Sequence, residues 1–134
     1  MIAGFTILSI LKMLFAGFNG VLFTQSGFDK ILDYKGNRSY FQDHFKNSPL
    51  AGTVGILLPV ILVLETAAGL LSLVGLAMLL FMGDESVAPI GMLLGSKAIL
   101  SLFLGQRVAK DYAGAATLVP YFLMTTAGLA LYLL

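Results

Sequence analysis

Four long apolar runs, separated by short polar connections, leave few folds open to this chain. They cover about residues 2–28, 53–81, 87–105 and 112–134. A helix needs roughly 20 residues to cross a hydrocarbon core, so each run is long enough or nearly so. Backbone polar groups in lipid must pair within their own segment, which makes the runs helices rather than strands. The second run exceeds the required length, so it should tilt, kink at Pro59 or begin before the membrane. Charge content agrees. A soluble domain carries about 25% charged residues; this one has 11%, against 58% hydrophobic, over 134 residues. The predicted fold is all-α: an integral membrane four-helix bundle forming a single transmembrane domain over residues 1–134. Residues 1–20 lack a basic start and a small-residue cleavage site, and read as a retained helix rather than a leader.

Several functions fall away on composition. Net charge is +1, and no basic cluster is interleaved with aromatics, so nucleic acid is not an expected partner. There is no cysteine and one histidine. Thiol chemistry, iron–sulfur ligation and bis-histidine haem binding are therefore closed to the chain alone. No metal site, covalently bound cofactor or nucleophile is legible, which argues against catalysis by the chain itself. No phosphate-binding glycine motif is present; the glycines read as helix-packing positions.

The first connection concentrates the polar residues. Between Ser26 and Gly52 lie three of the seven acids, four of the eight bases and the only histidine. Lys35-Gly36-Asn37 reads as a turn, and Ser39 with Gln42 as a capping box. Asn37-Arg38-Ser39 matches a glycosylation sequon, a pattern short enough to arise by chance. Tyr40, Phe41, His44 and Phe45 then share one face of a short interfacial helix, about residues 38–47, which Asn47-Ser48-Pro49 ends. Arg38, Asp43 and Lys46 lie off that face. The segment reads as a contact platform at the membrane surface, with Arg38, Tyr40, Phe41, His44, Phe45 and Lys46 as its partner-facing or anchoring residues. His44 has a second reading, proton exchange with a quinone head group near the interface. Asp43, its sequence neighbour, is badly placed round the helix to orient it.

Lysine and arginine set the expected orientation. Lys30, Lys35, Arg38 and Lys46 lie in the first connection, Arg107 and Lys110 in the third, and none in the second or at the termini. The positive-inside rule places connections one and three in the cytoplasm and both termini outside.

Two segments, "FTQSGFDKILD" and "VLETAAGLLSLVGL", together with the four-span plan, resemble the DoxX-like family of small four-helix membrane proteins. The matching residues are Gly27, Lys30, Glu65 and Gly69. The resemblance covers nearly the whole chain. It implies a multi-pass protein of the bacterial inner (plasma) membrane, associated with quinone-linked respiratory complexes and redox homeostasis.

Lys12, Glu65 and Lys97 fall inside spans, where a charge costs about 2.5–3.5 kcal/mol at a helix centre on insertion scales. Each should face protein or a water-filled cavity. The helical spacing agrees: Lys12, Asn19 and Ser26 form one stripe, Glu65, Gly69 and Ser72 a second, Lys97, Ser101 and Gly105 a third. Tyr121, Thr125, Gly128 and Tyr132 form a fourth. By depth, Glu65 is expected to meet Lys97, while Lys12 snorkels outward. Such a pair either fixes helix packing or, with Lys12 and Asn19, holds a quinone oxygen or an anionic head group. Three functions stay open. One is a non-catalytic membrane subunit or accessory of a quinone-linked redox complex, with lipids and a larger membrane assembly as partners. Another is a stand-alone quinone- or lipid-binding oxidoreductase-like protein with its site inside the bundle. A transporter, with no inverted repeat to support it, is the weakest.

Overall fold

The computed structural model describes residues 2–134, and they form an all-α bundle. The elements are α1 (Ile7–Leu32), α2 (Tyr34–Phe45), α3 (Val54–Met82), α4 (Ala88–Val108), α5 (Tyr112–Thr117) and α6 (Val119–Ala130). A single 3₁₀ turn, Leu131–Leu133, closes the chain. Helices α1, α3 and α4 are each long and apolar enough to cross a membrane; Tyr112–Leu133 makes the fourth span. The protein is thus a multi-pass membrane bundle. Most large side chains that would burden a soluble fold, such as Leu14, Phe18, Val63 and Leu80, point outward, where lipid is their solvent.

The helices follow the apolar runs to within a few residues, α1 starting at Ile7 rather than residue 2 and α4 running on to Val108, and three further differences bear on the site. First, α1 does not end at Phe28. It runs one more turn through Asp29 and Lys30 and stops at Asp33. Second, α2 begins at Tyr34, so Lys35-Gly36-Asn37 is a helical turn rather than a reverse turn. Its cap is Asp33, whose side chain accepts from the Gly36 amide at 3.2 Å, and Ser39 lies inside the helix. Asp33 outcompetes Ser39 because it stands where the chain leaves α1 and its short carboxylate reaches the free amides of the new helix. Third, the last span is broken at Leu118. Pro120 follows, and its ring nitrogen has no hydrogen to continue the helical ladder. Pro59, in contrast, sits within an unbroken α3.

The chain's connectivity gives the bundle two unlike ends. At one, α2 lies with the start of α3, the end of α4 and the start of α5; there Phe45, Val54 and Leu58 form a buried cluster with Phe41, Leu50 and Ala109 against it. At the other, Met13, Ala16, Leu79, Ala88 and Met92 pack together. Small residues bring the backbones close at that end. A Cβ on Gly75 would run into the Ala88 backbone, so only glycine lets α3 and α4 cross there.

Candidate functional site

Three polar groups occupy the bundle, at different depths. The first lies at the crossing of α1 and α3. Glu65, 2% exposed, accepts from Lys30 Nζ at 2.8 Å and from Ser26 Oγ at 2.8 Å, and Lys30 Nζ also reaches Ser26 Oγ at 2.9 Å. Lys30 is itself mostly buried. The helices come this close because Gly27 faces Thr66 and Gly69 faces Thr24; a Cβ on either glycine would meet the opposite backbone. Thr24 and Thr66 hydroxyls are buried there without hydrogen-bond partners among the described residues. Gly27, Lys30, Glu65 and Gly69 therefore converge on one contact.

This pairing corrects the expected union of Glu65 with Lys97. Lys97 points out of the bundle, and so does Ser101. Of the α4 stripe expected to face inward, Lys97 and Ser101 face outward, and Gly105 packs against Phe45 instead. The reason is packing: α4 turns Ala88, Gly91, Gly95 and Ala98 inward, and these let its backbone approach α1 and α3 more closely than a lysine could. Tyr121 is likewise exposed, while Thr125 and Gly128 are buried as expected.

At the opposite end, Lys12 is 4% exposed and its ammonium reaches Glu85 Oε1 at 2.8 Å. Its Nζ stands 4.9 Å from the centre of the Tyr132 ring. Lys12 does extend toward the connection after α3, as expected, and finds a carboxylate there. In that same connection, the Ser86 hydroxyl and amide donate to Asp84 Oδ1 at 2.7 and 2.9 Å. They hold the Asp84 carboxyl below the usual carboxylate range. Asn19, fully buried midway along α1, donates to the Phe15 carbonyl at 2.8 Å, and its Oδ1 has no partner among the described residues.

The third group belongs to α2. His44 Nε2 lies 2.6 Å from Gln106 Oε1 and 3.4 Å from Asp111 Oδ2. With the amide oxygen as acceptor, the ring proton sits on Nε2. Asp111 is held for this contact, since its Oδ1 accepts from the Gly114 amide at 2.9 Å and caps α5. The carboxylate nearest His44 is therefore Asp111, 67 positions further on and outside the reach of local spacing. Tyr40 does not face inward with Phe41 and Phe45. It is 61% exposed and lies over the His44 ring, nearly parallel, with centroids 5.7 Å apart. Phe41 and Phe45 stack beneath, 6.1 Å apart. Arg38 and Lys46 are exposed, and Lys46 pairs with Asp43 at 3.0 Å.

Below this latch is a cavity of about 300 Å³ between α2, α3 and α4. Phe41, Phe45, Val54, Leu58, Gly105 and Gln106 form much of its wall. Gln106 is shared by the cavity and the His44 contact; the other polar side chain of the wall, Ser101, donates its hydroxyl to the Lys97 carbonyl, so the space is mostly apolar with one amide at its border. Leu57, Val60 and Leu104 also line it and are outwardly exposed, so the cavity opens sideways, toward lipid. Its volume lies at the lower end of the range for small-molecule sites, about 300–1,000 Å³. The geometry suits an apolar body with one polar group. Among the described residues no cluster of metal-ligating side chains occurs.

Comparison with protein-family models, with curated proteins and with solved structures finds no match for the chain.

Proposed function

We propose that this protein binds a lipid-soluble molecule of the quinone class in the α2–α3–α4 cavity and serves a larger membrane redox assembly as a non-catalytic member. The observation that carries the reading is the cavity itself: mostly apolar, open toward the bilayer, and bordered by the Gln106 amide, whose oxygen meets His44 Nε2. A quinone enters from the hydrocarbon phase, fills an aromatic-walled space and needs a hydrogen-bonding group at its head. Gln106 supplies that group, and His44 is the one imidazole in the chain able to exchange a proton beside it. The DoxX-like resemblance points to the same ligand class. The four residues that carry it form the α1–α3 contact, a scaffold role beneath the cavity rather than a ligand contact. In this reading the chain belongs to a bacterial inner membrane, with the α2 end in the cytoplasm. Lys35, Arg38, Lys46, Arg107 and Lys110 all gather at that end, and a reporter fused after Asn37 tests it.

A second reading has a specific observation behind it. Most of the cavity wall is apolar, so an acyl chain of an ordinary lipid could occupy it with no head-group recognition. One experiment separates the two. The chain contains no tryptophan, so Leu57→Trp at the cavity rim gives a single reporter, and quinone quenches indole fluorescence on contact. Titration of the reconstituted protein with a short-chain quinone should quench in a saturable way, and His44→Gln or Gln106→Leu should weaken binding. Quenching that rises linearly with membrane quinone, unchanged in both variants, would leave only the acyl-chain reading.

A further inference from the structure

Of Lys12, Glu65 and Lys97, the charges deepest in the spans, two are buried against partners and the third is left uncovered. Lys12 has Glu85 and Glu65 has Lys30. Among the described residues, the Lys97 ammonium has no hydrogen-bond or ion-pair partner. Lys97 stands nine residues after Ala88 and eleven before Val108, so about 13 Å and 16 Å of helix separate it from the two ends. A lysine stem covers less than half of the shorter distance, so snorkelling does not bring the ammonium to water. Its neighbours on the same face are Ile90, Leu93, Leu100 and Leu104, all exposed. The spacing of 90, 93, 97, 100 and 104 alternates three and four, the seam that a second helix packs against.

We propose that this face of α4 is the docking seam for a transmembrane helix of a different protein, one that carries an aspartate or glutamate near mid-bilayer. Charge complementarity selects the occupant. A second copy of this chain brings no suitable carboxylate. Of its seven acids, Asp29, Asp33, Asp43, Asp84, Glu85 and Asp111 lie at helix ends or in connections, and Glu65 is already buried against Lys30. A lipid phosphate does not reach that depth. A carboxylate on a partner helix does, and it removes the cost of an ammonium facing hydrocarbon. Leu104 belongs both to the seam and to the cavity mouth, so the docked helix also walls the side opening. The inference does not depend on which molecule fills the cavity.

The test uses the whole chain in phosphatidylcholine vesicles and synthetic single-span, leucine-rich peptides as probes. One peptide carries glutamate at its centre, one glutamine there, and one glutamate near an end. No native cysteine exists, so Lys35→Cys takes a single acceptor dye and energy transfer reads association. The central-glutamate peptide should bind about tenfold more tightly than the other two, the size of a membrane-embedded polar contact. Lys97→Met should abolish that preference, and Lys97→Glu should transfer it to a peptide with central lysine. Lys97 touches no buried partner, so both variants should keep the thermal midpoint of the parent, which is checked first. If the variants unfold, Lys97 is structural and the proposal falls. Equal binding of all peptides, or a glutamate preference that survives Lys97→Met, also overturns it. So does efficient disulfide crosslinking between copies carrying Leu93→Cys or Leu100→Cys, since the seam would then be covered by the chain itself.

Discussion

The two ends of the bundle are built from opposite materials. Away from α2, Gly75 lies against the Ala88 backbone and Gly91 against Ser72, and Ala16, Ala88 and Met92 are wholly buried. At the α2 end, Phe41, Phe45, Leu50 and Leu58 hold α3 and α4 apart and enclose empty space. Small residues make an interface with no room for a ligand; large stiff rings on a separate short helix make a wall that leaves some. Both ends carry polar groups, but these differ as well. Lys12 and Glu85 satisfy one another, whereas the His44–Gln106–Asp111 group borders the cavity. On the proposed reading the ligand belongs to the α2 end, and the opposite end serves to hold the helices together.

The largest expected effect lies at the buried Lys30–Glu65 ion pair, which joins α1 to α3. Lys30→Met leaves the Glu65 carboxylate buried without its cation and should destabilise the protein by about 3–5 kcal/mol. Lys30→Met with Glu65→Leu removes both charges and should recover most of that loss. Denaturation in mixed micelles measures both, and a double variant no more stable than the single would show that the pair does not act as a unit.

Next in size is a matched pair of substitutions that addresses the comparison itself. Gly75→Leu forces side-chain atoms into the Ala88 backbone and should cost at least about 1–3 kcal/mol. Gly105→Leu points into the cavity, where the nearest atom to an added Cβ is Phe45 Cζ at 3.5 Å. That variant should be neutral or up to about 1 kcal/mol more stable, because leucine replaces glycine within a helix, while ligand binding is lost. Equal losses of stability at the two glycines would erase the distinction between a closed and an open end.

The smallest effect belongs to Asp111. Asp111→Ala removes the α5 cap and should cost roughly 1 kcal/mol, whereas Asp111→Asn keeps a capping side chain and should fall within a few tenths. Both remove the carboxylate beside His44, so both should weaken ligand binding alike. A ligand affinity that follows stability rather than charge would assign Asp111 to capping alone.

Much of the fold is legible as four apolar runs, because in a membrane the solvent dictates which segments are helices before packing does. The buried charges were legible only as a set. Depth alone brings Glu65 toward Lys97, but depth does not give the direction a side chain takes round its helix. Small inward residues on α4 decide that direction, and they turn Lys97 out. Lys30 carries the resemblance but is not read as the partner of Glu65, because a lysine beside Asp29 looks like part of a connection. The signal for it was present: the stripe Lys12, Asn19, Ser26 reaches Lys30 in one further turn, four positions on. Asp111 left no such signal, since its meeting with His44 depends on how α4 ends and α5 begins. Tyr40 carries the apolar spacing of its helix and yet serves as the cover of an imidazole.

Photolabelling shows whether the α2 end holds a lipid-soluble ligand. A photoreactive short-chain quinone is illuminated with the reconstituted protein, and labelled residues are mapped by mass spectrometry. Label should fall on α2 and the end of α4, around Phe41, Phe45 and Gln106, displaced by excess unlabelled quinone and absent from Gly105→Leu. Label spread over outward residues such as Leu70, Val74 and Leu80, undiminished by competitor and unchanged by Gly105→Leu, would contradict it.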